Sequence, residues 1–274
     1  MAIEGINGKK ILFIGIGFYD YDKLIAEKLR QNGASVCYIS SVRKNRLANL
    51  FQRFGLKKIA TTIIDNNRKK RIDQAARNAD IIFTIKGENL NTRDLIALKK
   101  RNPDASWILY LWDSVARLEN AELLFNFFPT IFSFDRLDCI RDKRLRFRPL
   151  FFRDLLDYEG QKDYDLSFIG WVHSDRLQLI RNFKTQLQNC QKRYFFKLYM
   201  GPFNYLIQRY IKGSIKKEDN DIITTRAIPY ADFSQILSKS KCVLDIAHPL
   251  QSGLTMRTLE TFAAGCKLLT TNTD

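Results

Sequence analysis

The sequence predicts two α/β lobes in series, each a parallel sheet flanked by helices. Three observations predict this. Short apolar runs alternate with amphipathic segments along most of the chain. The runs are apolar almost throughout, as expected of strands buried on both faces. The rhythm breaks once, at residues 149–164 (PLFFRDLLDYEGQKDY), where Pro149, Gly160 and several charges interrupt it. A chain of 274 residues accommodates two lobes of roughly 100–150 residues each. The first lobe is set at residues 1–150, a linker at 151–164 and the second lobe at 165–274.

Each element follows from local pattern. Lys10–Ile16 (KILFIGI) reads as a buried strand. Tyr21–Gln31 has helical spacing at Leu24, Ile25, Lys28 and Leu29, and Gly33 stops it. Ser35–Ile39 is a second strand and Val42–Phe54 a basic amphipathic helix. Ile59–Ile64 and Asp80–Ile85 are expected as strands, Thr92–Arg101 as a helix stopping before Pro103, and Ser106–Trp112 as a strong strand. Thr130–Phe134 and Arg144–Phe147 are short strands. Beyond the break, strands are expected at Asp165–Ile169, Tyr194–Met200, Asp221–Thr224, Lys241–Ala247 and Lys267–Thr271. Helices are expected at Ser174–Asn189, Tyr230–Ser240 and Leu254–Ala264.

Composition narrows the function classes. Hydrophobic residues make up 45% and charged residues 27%, so a folded core is expected. The net charge is +16 and is uneven: residues 1–150 carry 28 Lys/Arg against 16 Asp/Glu, residues 151–274 carry 17 against 13. The basic first lobe suits an anionic partner, whether nucleic acid, an anionic membrane or a phosphate-bearing lipid, or is simply a solvated surface. Five cysteines without CxxC spacing read as reduced thiols. Two histidines are too few for a His-rich metal site. No stretch approaches about 18 apolar residues, and no apolar leader precedes the first strand. The expected location is the cytoplasm, with any membrane contact peripheral, at the inner face of the cell membrane.

Several residues sit where chemistry occurs in such folds. The first turn, Gly15-Ile16-Gly17, lacks the third glycine of a dinucleotide fingerprint, because Asp20 stands there and would repel a pyrophosphate. Asp20-Tyr21-Asp22 and Asp163-Tyr164-Asp165 are D-x-D strings, read as structural. Asp113 follows the strand WILYLW and is either a general base toward an acceptor hydroxyl or a cap. Asp135 has a similar place and is expected to cap a helix.

In Gly170-Trp171-Val172-His173-Ser174-Asp175-Arg176, Gly170 permits a tight turn, Ser174 suits an N-cap, and His173 and Arg176 can meet an anion at a helix start. The segment from His248 to Gly265 is stronger. Ser252, Gly253, Thr255, Arg257 and Thr258 gather at a loop and helix start that suits a diphosphate. Glu260, one turn deeper, suits the paired hydroxyls of a ribose. Met256, Leu259 and Ala263 are expected on the packed face, with Gly265 ending the helix. The bland alternative for Arg257 and Glu260 is a surface ion pair worth a few tenths of a kcal/mol.

The stretch from Lys241 to Asn272 (H-P-x-Q-S-G-L-T-M-R-T-L-E-T-F-A-A-G-x-K-L-L-T-T-N from His248) resembles bacterial glycosyltransferases of capsule, exopolysaccharide and lipopolysaccharide clusters, related to spore-maturation CgeB-like proteins. Asp165–Arg176 (DLSFIGWVHSDR), Leu109–Ser114 (LYLWDS), Phe132–Asp138 (FSFDRLD) and Phe147–Leu150 (FRPL) are similar to the same family. The resemblance implies a GT-B-like architecture of two Rossmann-like lobes, acceptor bound by the first and nucleotide sugar by the second. It implies a hexosyltransferase-type transfer to a cell-surface polysaccharide or lipid-linked acceptor, with the nucleotide sugar as co-substrate, no other cofactor and no metal. Carried over by residue, Glu260 would hold the donor ribose, Arg257, Thr255 and Arg176 the diphosphate, and His173 and His248 would lie near the transferred sugar. Ser252 stands where many retaining enzymes of this architecture have a second glutamate, so this motif does not assign stereochemistry. The family's chains usually continue past T-T-N, so the second lobe is expected to be incomplete. The alternatives are a catalytically silent scaffold of the same fold or a polyanion-binding protein. No nucleic-acid-binding signature supports the latter, so no nucleic-acid partner is expected.

Overall fold

In the computed structural model, residues 5–18, 20–41, 56–75, 77–153, 160–173, 175–248 and 250–273 are described. The chain divides into two units, Met1–Pro149 and Leu150–Asp274. Each is a Rossmann-like α/β unit built on one parallel sheet.

In the first unit, β1 (Lys10–Gly15) is buried from Ile11 onward because its residues are apolar on both faces. It pairs in parallel with β2 (Ser35–Ser40) and with β3 (Ile81–Ile85), with Phe13 opposite Tyr38 and Phe83. Helix α1 (Tyr21–Gln31) makes the β1–β2 crossover. β4 (Ser106–Leu111), β5 (Thr130–Ser133) and β6 (Leu145–Phe147) extend the sheet, giving the order β2-β1-β3-β4-β5-β6. Trp107 anchors one face, packing edge-on to Phe128 at 5.2 Å. Tyr110 donates its hydroxyl to the Pro149 carbonyl at 2.6 Å, tying β4 to the end of the unit.

The run Ile59–Ile64 is not a strand. It lies inside α2 (Lys57–Gln74), an 18-residue helix. The β-branched residues favour extended backbone, but the charged residues around them need solvent on most sides. A helix meets the second need by burying only one stripe, with Ile72 on the core. Arg71 then reaches the Ser40 carbonyl at 2.9 Å. The helix expected at Val42–Phe54 lies outside the described residues.

Helix α3 (Thr92–Arg101) starts with a capping box: Asn91 accepts the Asp94 N–H at 3.0 Å and Asp94 accepts the Asn91 N–H at 3.1 Å. A short 3₁₀ turn (Val115–Arg117), α4 (Ala121–Phe127) and α5 (Arg136–Arg141) complete the unit. Asp135 caps α5 as expected, accepting the Leu137 N–H at 3.0 Å.

In the second unit, β7 (Leu166–Trp171) and β8 (Tyr194–Tyr199) pair in parallel, joined by α6 (Arg176–Asn189). Helix α7 (Pro202–Leu206) runs into a π turn (Ile207–Ile211) and then a 3₁₀ turn (Lys217–Asp219) before β9 (Ile223–Thr224). Then come α8 (Tyr230–Ser238), β10 (Cys242–Asp245), α9 (Met256–Ala263) and β11 (Lys267–Thr270). The order is β11-β10-β7-β8-β9. Apolar clusters cover both faces. Phe168, Ile180, Phe196 and Leu244 lie on one, and Phe233, Leu237, Val243 and Cys266 on the other. Arg181 pins the long β8–β9 excursion by paired bonds to the buried Asp219 at 2.6 and 2.8 Å.

No helix among the described residues is long and apolar enough to cross a membrane.

Candidate functional site

Strand order decides where a ligand can enter a parallel sheet. Chain travel from β7 runs to β8 and β9 on one side, then returns to β10 and β11 on the other. The order therefore reverses between β7 and β10, and the loops after those two strands diverge over a crevice. Those loops carry His173 and Arg176 after β7, and His248 to Thr255 after β10.

His173 and His248 face each other with ring centroids 6.0 Å apart. His248 is oriented by its own turn, Nδ1 accepting the Leu250 N–H at 3.2 Å. Arg176 opens α6 and donates to the Ile246 carbonyl at 2.8 Å, bracing the β7 loop to the end of β10. Ser174, expected as the helix cap, lies outside the described residues; Asp175 holds the N-cap position with no side-chain cap bond.

Arg257, in the first turn of α9, donates to the Ile169 carbonyl at 2.9 Å and lies over the Phe233 ring at 4.3 Å. Its Nε is buried and has no hydrogen-bond partner. Glu260 lies one turn on, its Oε2 4.0 Å from that Nε, with only 4% of the residue exposed. This burial argues against a surface ion pair, because a carboxylate so enclosed loses most of its hydration.

Several expectations are corrected. First, the hydroxyls of Thr255 and Thr258 do not stand open to a diphosphate. Both donate to Asp245 Oδ2, at 2.9 and 2.7 Å, and Thr255 also accepts the Thr258 N–H at 3.2 Å. Asp245 thus brings a buried carboxylate to the start of α9, where the helix dipole favours an anion. Second, Gly170 does not make a turn. It lies within β7 opposite Leu198. Glycine is needed because Phe168, on the same face two residues away, lays its ring there; a Cβ would come within 2.7 Å of Phe168 Cζ.

The packed face of α9 also differs. Thr258, Glu260 and Thr261 are buried, while Phe262 and Ala263 are exposed. The polar face can be inward because its groups are bonded, Thr258 to Asp245 and Thr261 to the Arg257 carbonyl at 2.7 Å. Gly265 ends α9 with φ of 62°, as expected. The loop before α9 holds the buried Gly253 and Ser252, whose carbonyl accepts from Asn272 Nδ2 at 3.0 Å.

In the first unit, Asp113 follows β4 and is clasped by two cations, Lys86 at 2.5 Å and Arg117. It does not cap a helix. Lys86 follows β3 with φ of 62°, a left-handed conformation uncommon for a side-chain-bearing residue. The Gly15–Gly17 turn is closed by Asp22, whose Oδ2 accepts the Gly17 N–H at 2.5 Å and the Tyr38 hydroxyl at 2.8 Å. That carboxylate occupies the space beside Gly15 where a pyrophosphate would need to approach. The two D-x-D strings are spent on structure: Asp20 pairs with Lys23, and Asp165 accepts from Lys241 and the Arg193 N–H. Among the described residues no group of three or more His, Cys, Asp or Glu could hold a metal ion.

Sequence reasoning missed Asp245, Lys86, Phe233 and Trp171. The first two obey the rule applied to Asp113, being polar residues at the carboxyl end of an apolar run. Trp171 ends β7 half exposed, held edge-on by Tyr199 at 4.6 Å. Phe233 carries no local signal, since its role depends on Arg257 reaching it from another helix.

No protein-family model matches the chain. No curated protein matches it either. Among solved structures, UDP-GlcNAc 2-epimerase from Methanocaldococcus jannaschii is similar at 11% identity over 96% of this chain and 83% of that chain, with a TM-score of 0.48. A likeness of that size carries no argument about this chain. The α/β architecture rests on the two parallel sheets themselves.

Proposed function

We propose that the chain is a metal-independent glycosyltransferase of the GT-B type, moving a sugar from a nucleotide-sugar donor to a cell-surface polysaccharide or lipid-linked acceptor. The observation that carries this reading is the gathering of His173, Arg176, His248, Arg257 and Glu260 at the β7–β10 reversal of the second sheet. Residues 88 apart in sequence, Ile169 and Arg257, are joined there by one hydrogen bond.

In this reading the Glu260 carboxylate accepts from the ribose hydroxyls. Arg176 and Arg257, each anchored on a backbone carbonyl by one hydrogen bond, bring positive charge to the diphosphate. Those cations stabilise the charge that develops on the departing nucleoside diphosphate. His173 and His248 contact the transferred sugar, Ser252 and Gly253 line the loop with backbone groups, and Thr255 and Thr258 act through Asp245 by fixing the start of α9. Gly170 keeps β7 flat against Phe168. Asp113 takes the acceptor proton, its carboxylate oriented by Lys86 and Arg117.

The test is thermal stabilisation of the folded protein by UDP, GDP, CMP, dTDP and ADP, with Glu260→Ala as control. A shift with one nucleotide that disappears in the variant supports the donor site. A folded protein that responds to none of the five sinks the reading and leaves the silent scaffold.

A further inference from the structure

The segment after β8 carries a feature unrelated to nucleotide chemistry. Helix α7 and its π turn present Phe203, Leu206, Tyr210 and Ile211 to solvent, with Tyr210 73% and Ile211 78% exposed. Spacings of three and four residues set Phe203, Leu206 and Tyr210 on one face, with Ile211 at its margin. The opposite face is committed inward. Tyr205 packs on the core cluster of the second unit, and Arg209 donates to the Lys216 carbonyl at 3.2 Å and to Asn220 at 2.8 Å. The helix is therefore fixed in rotation and its apolar stripe cannot roll under.

Charge says what the stripe fits. From Pro202 to Lys217 the chain carries Arg209, Lys212, Lys216 and Lys217 and no acidic residue. Lys212, Lys216 and Lys217 are exposed within the same segment. An apolar face of aromatic and aliphatic residues bordered by three exposed lysines, with the exposed Glu218 following Lys217, matches an anionic lipid surface, where rings and aliphatic chains enter the acyl boundary and lysines meet headgroups. α7 begins at the carboxyl end of the second sheet, the end that also carries His173, His248 and Arg257.

We infer that residues 202–217 dock the protein on an anionic bilayer, with Phe203, Leu206, Tyr210 and Ile211 inserted and Lys212, Lys216 and Lys217 on the headgroups. This assigns membrane contact to the second unit, not to the more basic first one, and it does not rest on the proposed catalysis.

The test is co-sedimentation of the full chain with phosphatidylglycerol–phosphatidylcholine vesicles and with phosphatidylcholine vesicles, at low and high salt. The expected result is pelleting with the anionic vesicles only, weakened by salt. Replacing all four stripe residues by Ser abolishes it while the chain stays folded by circular dichroism. Ile211→Glu alone does so in milder form. Each of Lys212→Ala, Lys216→Ala and Lys217→Ala weakens binding about fivefold. Three results overturn the inference: no pelleting of the wild type, pelleting of the stripe variant equal to wild type, or a stripe substitution that converts a dimer to a monomer in sedimentation velocity while leaving vesicle binding unchanged.

Discussion

Thr258 Oγ1 donates to Asp245 Oδ2 at 2.7 Å, joining the end of β10 to the first turn of α9. Thr255 donates to the same oxygen at 2.9 Å. One buried carboxylate thus fixes the helix that carries Arg257 and Glu260. Asp245→Ala takes away the carboxylate to which both hydroxyls donate and removes a charge from the helix start. The expected cost is about 2–3 kcal/mol. Asp245→Asn, which retains an acceptor oxygen, costs about 1 kcal/mol. Urea denaturation followed by circular dichroism measures both. Equal stability of Asp245→Ala and wild type would remove the network from the account of this site.

Gly170 and Phe168 form a second coupled pair. Gly170→Ala drives a Cβ to within 2.7 Å of a ring that is itself buried and cannot swing clear. Overpacking of this kind costs about 1–3 kcal/mol. In the Phe168→Leu background the clash is absent, so the penalty of Gly170→Ala shrinks there. Additive penalties in the double-variant cycle would show that the glycine is needed for some other reason.

These two pairs mark what the sequence makes legible. Strand runs such as KILFIGI and WILYLW read correctly because period and apolarity agree. The helix at Thr92–Arg101 also reads correctly, with its stop before Pro103. The run Ile59–Ile64 misleads because β-branched propensity is a weak preference and tertiary context overrides it. At the site, Arg257 and Glu260 are legible as helix neighbours three apart. The engagement of Thr255 and Thr258 by Asp245 is not, since it depends on how closely a strand end approaches the following helix. Gly170 read as a turn because a strand glycine and a turn glycine look alike until the ring that covers it is seen. Buried polar faces such as that of α9 defeat amphipathic reading, since periodicity scores chemistry and not whether each hydroxyl has found a partner.

The Arg181–Asp219 pair gives stability a pH dependence. Burial raises the Asp219 carboxyl, but the Arg181 bonds and the Lys216 N–H outweigh it and hold its pKa below the ordinary 3.8. A carboxylate depressed in the folded state stabilises fully above its unfolded value. The contribution is lost as pH falls below 3.8 through the folded value. Asp219→Asn is expected to cost about 2–3 kcal/mol at neutral pH. The gap from wild type narrows in acid, measured as unfolding midpoints from pH 7 downward. A gap that does not change with pH would assign the loss to packing.

Tyr110 acts at the opposite end of the scale. Burial pushes its phenol up to about 12, and its hydroxyl donates to the Pro149 carbonyl. A phenol raised in the folded state stabilises fully below its unfolded value of 10, and the contribution disappears as pH rises through about 12. Tyr110→Phe costs about 1 kcal/mol at neutral pH. In a difference titration by ultraviolet absorbance, subtracting the variant from wild type should leave one tyrosine ionising near 12. One that ionises near 10 would mean that β4 does not enclose it.

Lys86 tests the role proposed for Asp113. Its φ of 62° is an unfavourable backbone state that glycine adopts freely, and its ammonium lies 2.5 Å from the Asp113 carboxylate. Lys86→Gly therefore relieves backbone strain while releasing the carboxylate, and net stability changes by less than about 1 kcal/mol. If Asp113 takes the acceptor proton, Asp113→Asn lowers turnover by about 10²-fold or more. Lys86→Gly lowers it about tenfold, because the carboxylate is then held by Arg117 alone. Neither change is expected to alter nucleotide affinity, since neither residue is among those proposed to hold the nucleotide. The measurement is kcat with the donor that the nucleotide panel selects, alongside nucleotide Kd. Full turnover in Asp113→Asn would return Asp113 to a purely structural clasp between β3 and β4.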